Sequence, residues 1–177
     1  NLPYGTKTPD QMEELVRPKI DYLVSHGCEL IVIACNTVTT NIIERLRAQY
    51  QVVFIGIEPM VKVASKITKS GVFTVCATGA TLKSSRYKWL KSEYAKNIKV
   101  IEPDCSDWTR MIEDNLVDEA KIKNIIDDSC DRGSDVIVLG CTHYHWIEEL
   151  ITSISGGRAT VIQPEESIIR RIRELIG

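Results

Sequence analysis

No surplus of one charge marks this chain: 22 Lys and Arg stand against 24 Asp and Glu, a formal net charge of −2. That leaves no basic footprint for nucleic acid, and Arg170, Arg171 and Arg173 alternate with apolar residues along a predicted helix rather than forming a patch. No apolar run approaches the roughly 20 residues that a bilayer requires. The N-terminal residues show no basic-then-apolar signal pattern. Nucleic-acid and membrane partners are therefore not expected.

No Cys-x-x-Cys pair occurs either. The six cysteines, at 28, 35, 76, 105, 130 and 141, are scattered through a chain that is 44% hydrophobic and so has material for a core without covalent staples. Free thiols in a reducing cytoplasm are expected rather than disulfides. Zinc lacks support for a related reason. His143 and His145 lie two apart, a spacing that does not put them on one helix face, and no paired-ligand motif accompanies them.

What is present is a repeated unit. Residues 29–37, ELIVIACNT, align without a gap on 135–143, DVIVLGCTH: an acidic residue, four aliphatics, a small residue, a cysteine, then polar groups. The four aliphatics read as a buried strand of a parallel sheet. Cys35 and Cys141 thus each stand at a strand's carboxyl end, the edge where open α/β sheets bind ligands and where the start of a following helix favours a thiolate. A lone cysteine in such a place is more often packing than chemistry. Two in matching places suit a reaction that needs one acid/base on each face of a carbon.

Around these units strands alternate with helical patterns. Thr8-Pro9-Asp10-Gln11 is a capping-box start with Pro at the first helical position, and Gly27 closes that helix. Strands are predicted at 30–34, 52–56, 71–76, 98–101, 135–141 and 160–162. Helices are predicted near 40–49, 59–68, 118–132 and 146–154, with a last one after Pro164. The alternation predicts parallel sheets covered by helices. The fold class expected is α/β, with two pseudosymmetric parallel-sheet lobes: residues 1–67 and 158–177 in the first, incomplete at its N-terminus, and 68–157 in the second.

LPYGTK at 2–7, ACNT at 34–37 and GCTHY at 140–144 resemble, in order and spacing, the signature motifs of glutamate racemase in the aspartate/glutamate racemase superfamily; GVFTVCATGATLKSSRY and VIQPEESI fit the same pattern. The resemblance runs over essentially the whole chain. It implies cofactor-independent racemisation of glutamate, a small-molecule substrate bound between two lobes, and D-glutamate supply for peptidoglycan. It also implies no cofactor and no metal, with homodimers as the common assembly. Cys35 would serve the D enantiomer and Cys141 the L enantiomer, with His143 assisting Cys141. Tyr4, Gly5, Asn36, Thr37, Thr142 and His143 would hold the substrate. Glu113, eight residues after Cys105, matches an acidic residue that the family places near the site.

The residue types suit that chemistry. Deprotonating an amino acid at Cα loads negative charge onto its carboxylate, and short donors such as Asn36, Thr37 and Thr142, with N–H groups at helix starts, stabilise it. The same residues are also common helix caps. The family usually opens with a strand and an Asp-Ser-Gly turn, absent before PYG here, so the chain as given is expected to be impaired. His145 and Trp146 stand where the family usually has Pro after Tyr144. Two other readings remain open on the residues: a related racemase acting on aspartate or another amino-acid derivative, and a non-catalytic binding module.

Overall fold

The computed structural model describes residues 3–177; Asn1 and Leu2, the latter the first residue of LPYGTK, lie outside the described residues. A short 3-10 turn, Tyr4–Thr6, precedes α1 (Pro9–Ser25). The Thr8 side chain accepts from the Gln11 N–H at 3.3 Å, and the Gln11 side chain accepts from the Thr8 N–H at 3.0 Å. This reciprocal box satisfies two orphan donors and fixes where α1 starts. Then follow β1 (Leu30–Ile33), α2 (Asn36–Gln49) and β2 (Val53–Gly56). β1 and β2 pair in parallel, Leu30 opposite Val53 through Ile33 opposite Gly56. Met12, Val16 and Ile20 of α1 and Ile42 and Leu46 of α2 close one core with Ile31, Ile33 and Phe54.

The second series runs α3 (Val61–Ile67), β3 (Val72–Cys76), α4 (Gly79–Lys83), α5 (Ser85–Tyr94), β4 (Lys99–Ile101), α6 (Trp108–Glu113), α7 (Glu119–Asp131) and β5 (Val136–Leu139). A 3-10 turn at Thr142–Ile147 leads into α8 (Glu148–Ser155), β6 (Thr160–Ile162) and α9 (Glu165–Ile176). The larger sheet is parallel throughout, in the order β4-β3-β5-β6. All four residues of β5 are buried, as a central strand covered on both faces requires. Ile137 and Leu139 enter a core with Trp108, Ile122, Ile126 and Tyr144, while Val136 and Val138 enter another with Phe73, Tyr87 and Leu90.

The α/β class with parallel sheets is as expected, but the chain passes between lobes at different points. α3, placed in the first lobe from the sequence, packs Val61 and Ala64 into the core under β3 and β5, because its apolar face has the larger sheet to cover. β6, also placed in the first lobe, is hydrogen-bonded to β5, which needs a neighbour on each edge. The chain returns only with α9, which lies against β2. Among the described residues no helix is long and apolar enough to cross a membrane.

Candidate active site

Both cysteines of the repeated unit occupy the same local structure. Cys35 follows β1 and caps α2 with φ −151° and ψ 118°; Cys141 follows β5 and caps the 3-10 turn with φ −146° and ψ 132°. Extended backbone at a cap turns each thiol back over the first N–H groups of the next element. The N–H groups of Thr37 and Val38 and the Thr37 hydroxyl favour the Cys35 thiolate, but burial outweighs them and pushes its pKa up. Burial also pushes the Cys141 thiol up, to about 11, against the His143 N–H and the Thr109 hydroxyl, which favour its anion. A charge on Cys35 raises Cys141 further. The two thiols are therefore electrostatic neighbours, although they are carried by different sheets.

Each thiol has its own surroundings. On the Cys141 side, His143 Nδ1 lies 3.8 Å from Sγ, and Nε2 lies 2.9 Å from Glu113 Oε1 at the end of α6. A carboxylate accepts from Nε2–H, which leaves Nδ1 directed at the sulfur. Trp108 and Tyr144 stack edge-on, with centroids 5.1 Å apart, and Tyr144 Oη donates to the Cys105 carbonyl at 2.7 Å, pinning α6 against the turn that carries Cys141. On the Cys35 side, burial raises the Tyr4 phenol and the Cys35 charge raises it further, which puts Tyr4 beside that thiol.

Asn36 is only 1% exposed, and neither its Nδ2 nor its Oδ1 has a partner among the described residues. Burying both ends of an amide unpaired costs about 1–3 kcal/mol. Such a group at the foot of a thiol has the character of one kept for a ligand. Thr37 Oγ1 crosses between the lobes to Thr78 Oγ1 at 2.9 Å and Thr81 Oγ1 at 3.2 Å. Gly5 is fitted to the same junction, since a Cβ there would stand 3.2 Å from Thr78 Cβ.

Of the residues singled out in the sequence, Tyr4, Gly5, Asn36 and Thr37 gather around Cys35, and His143 and Glu113 gather around Cys141. Thr142 is half-buried at the first position of the turn. Thr78, Thr81 and Thr109 were not anticipated. Thr78 and Thr81 lie in GVFTVCATGATLKSSRY, where Thr78 caps α4 by accepting from the Thr81 N–H. Thr109 stands four residues before Glu113, hence on the same helix face, but that spacing alone does not tell whether the hydroxyl meets solvent or a sulfur. Among the described residues no group of three or more His, Cys, Asp or Glu is placed to hold a metal ion.

The fold and site define an α/β protein of two parallel sheets that presents one thiol from each sheet, in matching backbone settings, where the lobes meet. The chain belongs to the Asp/Glu/Hydantoin racemase family, whose model matches residues 2–170. It is 32% identical over 177 residues to a glutamate racemase of Methylococcus capsulatus, covering 98% of this chain and 65% of that protein. It is 35% identical over 178 residues to one of Clostridium perfringens, covering 98% of this chain and 68% of the relative. The crystal structure of Escherichia coli glutamate racemase in complex with L-glutamate and the activator UDP-MurNAc-Ala aligns with a TM-score of 0.87 at 25% identity, over 99% of this chain and 68% of that one. The chain thus spans about two thirds of the length of the relatives it matches.

Proposed function

We propose that this chain carries the two-thiol centre of a glutamate racemase, interconverting L- and D-glutamate by proton transfer alone. The observation that carries the reading is the pairing of Cys35 and Cys141 at equivalent caps of two sheets, near enough for the charge of one to act on the other. One thiolate takes the proton from Cα, leaving the C–H electron pair delocalised into the α-carboxylate. The opposite thiol delivers its own proton to the other face. One C–H bond breaks and one forms, nothing is oxidised or reduced, and the protonation states of the two sulfurs exchange.

In this reading Cys141 takes the proton of the L enantiomer and Cys35 that of the D enantiomer. His143, oriented by Glu113, assists Cys141. Tyr4, Gly5, Asn36, Thr37 and Thr142 hold the substrate's carboxylates and ammonium group, with Asn36 directed at the carboxylate that gains charge, where a fixed donor does most for the transition state. Similarity to glutamate racemases over nearly the whole chain supports glutamate as substrate. The same reading takes D-glutamate to peptidoglycan assembly and has the protein act in the cytoplasm as a homodimer.

The test is α-proton exchange in D2O followed by NMR, with L-glutamate, D-glutamate, aspartate and a hydantoin offered in parallel. Exchange from both glutamates is expected. Cys141→Ser should lower exchange from L-glutamate, and Cys35→Ser exchange from D-glutamate, each by about 10²–10⁴-fold. Faster exchange from aspartate or the hydantoin overturns the substrate assignment. Undiminished racemisation in both variants overturns the two-thiol mechanism.

A further inference from the structure

The Thr109 side chain is not explained by packing alone. It is 5% exposed, projects from α6 beside the core built on Trp108 and Tyr144, and places Oγ1 3.9 Å from Cys141 Sγ. A hydroxyl in so buried a place is costly unless it makes a hydrogen bond, and a valine would fill the same volume without that cost. The neighbouring phenol does not supply the sulfur with a donor, because Tyr144 commits its O–H to the Cys105 carbonyl. A thiolate has no proton to give. In the anionic state of Cys141, therefore, only Thr109 can be the donor in this contact.

We propose that Thr109 is a positioning residue for Cys141, its hydroxyl donating to the sulfur and holding the thiolate opposite His143. The inference rests on the racemase reading for its kinetic consequence but not for the contact itself. α6 carries both supports of this thiol one helical turn apart: Thr109 reaches the sulfur directly, and Glu113 reaches it through His143. A single element thereby fixes the thiolate from two directions. The other titratable groups facing Cys141 are Cys35 from the start of α2 and Tyr144 from its own turn, with Cys76 and Cys105 in the shared core. None of these is removed by changing Thr109, although Tyr144 also loses the contact of that hydroxyl.

The experiment measures thiol ionisation peptide by peptide, from the pH dependence of iodoacetamide alkylation read by mass spectrometry, alongside the D2O exchange assay. Thr109→Val is expected to move the Cys141 inflection up by about one pH unit while leaving that of Cys35 in place. At a fixed pH below both inflections, exchange from L-glutamate then falls about tenfold through the smaller thiolate fraction, and exchange from D-glutamate falls less. Thr109→Ser restores both. Thr109→Ala provides a second hydroxyl-free comparison should the valine variant not fold. An unmoved Cys141 inflection in a folded, hydroxyl-free variant overturns the proposal, as does a serine variant that behaves like valine. If the inflection moves as expected but the parent chain exchanges no α-proton from any substrate, the contact is upheld and the racemase reading fails.

Discussion

Cys141 bears a free-energy load that pH can reveal. Its thiol titrates near 9.0 when unperturbed and at about 11 in the folded protein, chiefly through burial, with Cys35 adding to the rise. Between those values the folded chain keeps a proton that the unfolded chain has released. The stability this contributes is fully present below about pH 9 and is lost as pH rises through about 11. Two pKa units correspond to about 2–3 kcal/mol, or a fall of several degrees in the thermal midpoint for a domain of this size. Melting curves from pH 8.5 to 11 should show this slope, and Cys141→Ser should flatten it in part. The remainder belongs to Cys35 and to the other buried thiols and phenols that burial moves in the same direction, Cys105, Tyr87 and Tyr144 among them. A serine variant with the parent's slope would assign the raised titration to other groups. Both thiols were legible in the sequence because the strand-Cys unit occurs twice. Thr109 was not, since one hydroxyl within a helical pattern looks the same whether it faces solvent or a sulfur.

At the scale of elements, the close join of β3 and β5 sets where Cys141 sits. Gly140 donates its N–H to the Cys76 carbonyl at 2.7 Å, and a Cβ there would stand 2.9 Å from Ala77 Cβ and 3.1 Å from that same carbonyl oxygen. Neither neighbour is the loose end of a flexible side chain, so an added methyl has to part the two strand ends. Gly140→Ala is expected to cost about 1–3 kcal/mol and, in the racemase reading, to lower exchange from L-glutamate more than from D-glutamate. Gly79→Ala is the matched control, because a Cβ at Gly79 meets nothing within 4 Å. Equal melting midpoints for the two variants would refute the argument. The strands were readable from their aliphatic runs, whereas the starts of the helices that follow the thiols were not. α2 begins at Asn36, four residues before the apolar periodicity suggests, because Asn36 and Thr37 are weak helix formers, and Thr37 is held in the first turn by Thr78 and Thr81. The six residues after Cys141 form a 3-10 turn for a similar reason: Tyr144 is drawn into the core and Trp146 is left 84% exposed.

For the whole molecule, the decisive contacts lie between lobes, and sequence spacing carries little information about them. Thr37 meets Thr78 and Thr81 across 41 and 44 residues of chain, and Arg86 of α5 grips Glu58, in the connection after β2, at 2.6 and 3.2 Å. These contacts hold the lobes together over an Asn36 amide that has no partner among the described residues. The arrangement is poised to gain stability from a ligand that supplies both a donor and an acceptor. Glutamate at 100 times its Kd would add about 2.7 kcal/mol, which is roughly 5–10 °C in thermal midpoint. Asn36→Ala should leave the unliganded midpoint nearly unchanged, because relief of the unpaired amide and the better helix propensity of alanine offset the lost packing. It should also abolish most of the glutamate-induced rise. Thermal melts of parent and variant with and without glutamate decide the matter: a full ligand shift in the variant removes Asn36 from the binding site, and no shift in the parent removes glutamate from the reading.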